Sequence, residues 1–196
     1  MSNYSYIIEY KQKIINMLLK DANLVKLINP KPNANVDIVD VLLGGSWIVN
    51  GKKVEEQGHI FDYNFVDETI SDEKTFMFIE TDIEYMKNSF FTDFNIYVYI
   101  FSSKNLIKLT NSSVPTVSDV RAMGYNVSRY ANRIDIMVDI VDKILCGNHK
   151  IQGIGVVKPA ERWPCAVYYP STKYYGKCLK YHITNLYESG EHCEDN

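Results

Sequence analysis

Four cysteines and four histidines are the best metal ligands in this 196-residue chain. Two of their arrangements have the spacing that zinc sites use, Cys146 with His149 in CGNH and Cys178 with His182 in CLKYH, with His192 and Cys193 further on. A closed site needs four such ligands converging on one point. Cys178 and His182 fall in a stretch that reads as β-strand, where residues four apart are about 13 Å from each other. No CxxC pair occurs, so the thiols are expected to be reduced and no metal is expected.

Carboxylates offer a second chemistry. Glu80 and Asp82 in FIETD, followed by Lys87, faintly suggest the strand-borne acids of a metal-dependent nuclease. The second acid–lysine pairing that such a site needs is missing, and alternation puts Glu80 and Asp82 on one strand face near its end, where solvated carboxylates are common. Asp135, Asp139 and Asp142 recur along a helical stretch and read as its solvated side. No Walker loop, GxSxG, HExxH or GxGxxG is present. The chain is therefore expected to be neither an enzyme nor a cofactor carrier.

Charge points towards partners. The net charge is only -3, but residues 31–100 hold five lysines against thirteen acids, a net of -8. Residues 121–180 hold ten basic residues against four acids, a net of +6. Two surfaces of opposite sign suit head-to-tail packing of identical subunits. The basic residues are spread along the chain with no RNP, KH or zinc-finger pattern, which argues against a nucleic-acid reader. No run of about 18 apolar residues is present, so no membrane span is expected. The start MSNYSYIIEYKQK lacks the features of a secretory signal, and an intracellular protein is expected.

The elements that must position these groups are legible from periodicity. Residues 5–28 place Ile7, Tyr10, Ile14, Leu18, Val25 and Ile28 near a 3.6-residue period, an amphipathic helix with a break expected around 21–23 before Pro30 and Pro32. DIVDVLLGG reads as a short helix or a strand. SWIVNGKKVEE reads as a hairpin turning at Asn50 and Gly51, with Lys52 and Lys53 at its tip. Strands are expected over 75–83, 92–103 and 178–186, with EYMKNSFF connecting the first two as an antiparallel pair. Residues 104–128 read as a polar, irregular stretch, with 113–119 as a loop that rearranges on assembly. A helix is expected over 128–146, capped by Gly147, and IQGIGVVK starts a further strand.

The fold class is α+β: an antiparallel or mixed sheet with two main helices packed on one face and a protruding hairpin. One domain is expected over 1–187, with an inserted loop and hairpin region at about 44–74 and an acidic tail at 188–196. One strand poses a question. In FFTDFNIYVYIFSS, Phe94, Ile96, Val98 and Ile100 share one face, while Asn95, Tyr97, Tyr99 and Phe101 share the other. If helices cover the first face, the second needs its own cover: the folded-back hairpin, the loop carrying Tyr168, Tyr169, Tyr174 and Tyr175, or another subunit. Aromatic residues favour interfaces, so Trp47, Lys52, Lys53, Tyr97, Tyr99, Trp163 and those four loop tyrosines are the candidate subunit and partner contacts.

The N-terminal helix, FIETDI, FNIYVYIFSS, the late helix RIDIMVDIVDKILCG running into IGVV, and the closing YYGKCLKYHITNL together resemble the tail terminator or tail completion proteins of tailed bacteriophages. The resemblance spans about residues 5–187. It implies a non-catalytic virion protein of the tail and neck, assembled in the host cytoplasm as a ring, commonly of six subunits. Such a ring caps the tail tube and joins it to the head connector, and DNA passes through it without sequence-specific binding. The implied partners are further copies of the chain, the tail tube protein and the connector or neck protein, with the tail sheath as a further candidate. A head-side neck adaptor or a baseplate component is the alternative, but connector adaptors are usually more helical.

Overall fold

The computed structural model describes residues 5–28, 36–63, 73–88, 91–147, 151 and 154–186. The acidic tail, His149, His192 and Cys193 lie outside the described residues. The N-terminal amphipathic stretch forms α1 (Ser5–Leu19) and α2 (Ala22–Ile28), with the break where the sequence places it. At that break the Asp21 carboxylate accepts the Leu24 amide at 2.8 Å, a side-chain cap for the start of α2. A short α3 (Ile38–Leu43) follows, capped by Asp37 through the Val39 amide at 2.8 Å, which settles DIVDVLLGG as helix.

Among the described residues, the hairpin strands β1 (Gly45–Val49) and β2 (Lys52–Glu56) pair only with each other. The main sheet is built from β3 (Ile60–Phe61), β4 (Thr75–Asn88) and β5 (Phe91–Ser103), completed by β8 (Val156–Pro159), β9 (Cys165–Tyr168) and β10 (Tyr174–Leu186). Its order is β3-β4-β5-β10-β8, with β9 on the other half of β10's outer edge. All pairings are antiparallel except β3 with β4. The 44–74 segment is thus not wholly an insertion, because β3 is an edge strand of the main sheet.

Other expected boundaries shift. Strand β4 continues through EYMKN, so much of the expected connection is strand, and β10 starts at Tyr174 rather than Cys178. The expected irregular region contains α4 (Lys104–Ile107), a two-residue β6 (Lys108–Leu109) and α5 (Val117–Ala122). Within it, Thr116 and Asp119 form a reciprocal capping box. The Lys26 ammonium, 2.7 Å away, and the Thr116 groups hold the Asp119 carboxyl down to about 2. Strand β7 (Ala131–Asn132) pairs with β6, and α6 (Arg133–Cys146) begins where Asn132 accepts the Ile134 amide, five residues later than the periodicity indicates.

The sheet has two unlike faces. One carries Met77, Ile79, Ile96, Val98, Ile100, Leu179, Tyr181 and Ile183, buried under α1, α2 and α6. The other starts as an aromatic layer of Phe61, Phe76, Phe78, Phe101 and Tyr174, all buried. The Phe78 and Tyr99 rings stack at 4.3 Å, and Tyr168 meets Tyr99 edge-on at 4.8 Å. Gly176 leaves the notch this packing needs, since a Cβ there would fall 2.1 Å from the Ile100 carbonyl oxygen and 2.5 Å from the Phe101 Cβ.

Helix α6 is fixed by its first residue. Arg133 is 1% exposed, and its guanidinium donates to the Leu106 carbonyl at 2.8 Å, the Val114 carbonyl at 2.7 Å and the Leu27 carbonyl. These acceptors belong to α4, the loop before α5, and α2. Burial lowers the guanidinium to about 10, yet it stays charged at neutral pH and three carbonyls share its protons. Arg133→Met should leave those acceptors unpaired and lower unfolding stability by roughly 3 kcal/mol or more in urea titration. Arg133→Lys, which cannot span three carbonyls, should recover only part of it.

Candidate functional site

Two features stand apart from the packed body: the hairpin and the polar end of the aromatic face. The β1–β2 register runs from Gly45 opposite Glu56 to Val49 opposite Lys52. Asn50 and Gly51 form the turn with φ of 51° and 75°, the left-handed pair that the Asn-Gly signal predicts. Trp47 and Val54 sit opposite each other and are half-buried, whereas Ile48 on the other face is 80% exposed. Lys52 is exposed, and Lys53 pairs with Glu55 at 2.5 Å. A two-stranded ribbon gains little stability alone in water.

Its root is nevertheless rigid. Gly44 and Gly58, with φ of 81° and 82°, pass back to back: a Cβ on Gly44 would lie 2.8 Å from the Gln57 carbonyl, and one on Gly58 2.8 Å from the Leu43 carbonyl. The neighbouring His59 is 3% exposed and ties three elements together. Its amide donates to the Leu42 carbonyl and its own carbonyl accepts the Met77 amide, both at 2.7 Å. Its Nδ1–H donates to the Thr75 carbonyl at 2.8 Å. Desolvation lowers the imidazole below its ordinary 6.5 although the Thr75 carbonyl pulls upward, while Lys74 adds to the lowering and Glu56 opposes it.

Beyond the aromatic layer the same sheet face turns polar. Its rungs read Glu80–Tyr97–Lys180 and Asp82–Asn95–His182–Lys158 across β4, β5, β10 and β8. At the β8 end, Asn95, Lys158, Glu161, Arg162, Lys180 and His182 line a groove of about 530 Å³. The Lys180 ammonium lies 5.6 Å above the Tyr97 ring. Glu80 is held from the other side by Lys11 at 3.0 Å.

The expected contact residues divide between the interior and the surface. Tyr174 is 4% exposed, and Tyr99 and Tyr168 are half-buried in the same layer, so these three belong largely to the fold. Burial raises the Tyr99 and Tyr168 phenols, which stay protonated. Tyr97 is half-buried at the layer's polar margin, and Tyr175 is half-buried against the Tyr169 ring at 5.5 Å. Trp163, 81% exposed at φ 54°, and Tyr169, 63% exposed, stand out from the body near β9. The basic groove was missed as a unit. Strand parity could have placed Lys180 and His182 on one face, but not Lys158 beside them.

The chemical alternatives find no centre among the described residues. Cys146, Cys165 and Cys178 are free thiols, and no cluster of three or more His, Cys, Asp or Glu residues could hold an ion there. Burial pushes Cys146 up to about 12 and Cys178 up to about 11, far from the thiolate that a metal or nucleophile needs. Asp135 pairs with Lys177, Asp139 with Lys143, and Asp142 with the Tyr181 hydroxyl. No helix among the described residues is long and apolar enough to cross a membrane.

A model of the YomW family matches residues 21–183, from α2 to within β10. The chain belongs to the YomW family. That family takes its name from a prophage gene product, which associates the chain with phage. No curated protein matches the chain, and no solved structure does. The YomW match spans the hairpin, its glycine root, both sheet faces and α6, so the arm lies within the family's extent.

The buried neutral imidazole gives a pH signature. Because its folded value lies below the unfolded 6.5, the unfolded chain binds more protons between the two values. His59 therefore supports folding fully above pH 6.5 and progressively less as pH falls through the folded value. Thermal melts of wild type should show a decline below pH 6.5 that His59→Gln flattens.

Proposed function

We propose that this YomW-family chain is a non-enzymatic structural protein of the phage virion, a tail terminator that forms a ring, commonly of six copies, between the tail tube and the head connector. The observation that carries this reading is the arm: a hairpin with an exposed Ile48 and a cationic tip, mounted on a root that two back-to-back glycines and His59 hold rigid. Such a ribbon is weak by itself and gains from a partner that covers it. The α+β body supplies the platform, with its aromatic layer already packed internally. In this role the copies close head to tail, the arm reaches the next copy or the tube protein, and DNA passes without base-specific contact.

Light scattering across a concentration series, with and without tail tube protein, tests the reading. A ring-sized species should form alone or on adding the tube protein; a monomer indifferent to the tube protein would sink it. Ile48→Asp should weaken that assembly about tenfold or more while the folded spectrum by circular dichroism is unchanged, since burying one isoleucine contributes roughly 1.5–3 kcal/mol.

A further inference from the structure

The polar half of the second sheet face carries a charge gradient from one edge to the other. On the β4 side stand Asp82, exposed, and Glu80, while Asp62 is exposed just past β3 at the same edge of the sheet. On the β8 side stand Lys158 and Arg162, both exposed, with Lys180 one strand in. The rung Asp82–Asn95–His182–Lys158 crosses the whole gradient in four residues.

Several of the molecule's other charges are paired within the chain, whereas most of those at the two ends, among the described residues, are not. Lys11, Lys13, Lys26, Lys53, Lys74, Lys143 and Lys177 each pair with a carboxylate of the same chain. Among the described residues, Lys158, Arg162 and Lys180 have no carboxylate within salt-bridge distance, although Glu161 lines the same groove, and the Asp62 and Asp82 carboxylates have no such cation. Among the described residues, β3 pairs with β4 only at Met77 and Phe78, and β8 has no outer neighbour.

We infer that the basic groove of Lys158, Arg162 and Lys180 docks against the acidic β4 edge of a second copy of this chain, through Asp82 and Asp62. The inference rests on the ring reading above and specifies which surfaces meet. One patch is the complement of the other and not of itself, so a heterologous contact that repeats from copy to copy satisfies both. A two-fold dimer through either patch would set like charges face to face. Side-chain charge, rather than strand addition, sets the contact, because charged edge residues oppose backbone pairing and favour one register.

Charge reversal with a swap tests it on the full chain. Lys158→Glu/Arg162→Glu/Lys180→Glu should weaken self-assembly roughly tenfold or more, and Asp62→Lys/Asp82→Lys should do the same. One chain carrying both sets should assemble again, as should an equimolar mixture of the two variants. Assembly of the wild type should also weaken between about 0.05 and 0.5 M salt, a readout that needs no variant to fold. Wild-type rings that ignore both reversals and salt would overturn the inference and leave the ring reading standing; a wild type that never assembles would overturn the ring reading itself. A basic-set variant that assembles normally but loses retention of a DNA oligonucleotide would assign the groove to phosphate instead.

Discussion

A single buried guanidinium holds the helical layer together. Arg133 starts α6, and its planar fork collects carbonyls from α2, α4 and the loop before α5. A hydrophobic side chain at this point would fill the volume, but the carbonyls at the end of α2 and in the following loops would then lack donors. The charge thus supplies the donors that these carbonyls need while the apolar residues of α2 and α5 pack into the core. The nearby Lys26–Asp119 pair, at 2.7 Å, extends the same stitching from α2 to α5 at the surface.

With one sheet face secured by helices, the other divides its work. Its aromatic half is closed on itself by Phe76, Phe78, Phe101 and Tyr174, with Tyr99 and Tyr168 at the margin. Its polar half carries the exposed charges of the two strand edges. Among the described residues, Ile48, Trp163 and Tyr169 stay largely exposed beside these charges, as do Ile8, Val114 and Tyr130.

Much of this was legible from residue order. Period 3.6 located α1, α2 and α6, Asn50–Gly51 located the hairpin turn, and alternation in FNIYVYIFSS separated the two sheet faces. The capped segment at 104–128 was not legible, because its order comes from Arg133, Thr116 and Asp119 rather than from apolar periodicity. The tyrosines were legible as a face but not as an interior: strand parity says which side Tyr99 and Tyr168 occupy, whereas their burial depends on Phe78 stacking from a neighbouring strand and Gly176 leaving room. Charge blocks along the sequence pointed to opposite surfaces, but only the register shows them at opposite edges of one sheet.

The position of β10 has a consequence for synthesis. It pairs along nearly its whole length with β5 on one side and carries both β8 and β9 on the other, yet it follows all the other described elements in sequence. While the ribosome is still translating, β5 has an unpaired flank rich in isoleucine, tyrosine and phenylalanine, next to a hairpin partner that formed early. Contacts this distant in sequence close slowly. The β5 flank is therefore the surface most exposed to aggregation until β10 has been made.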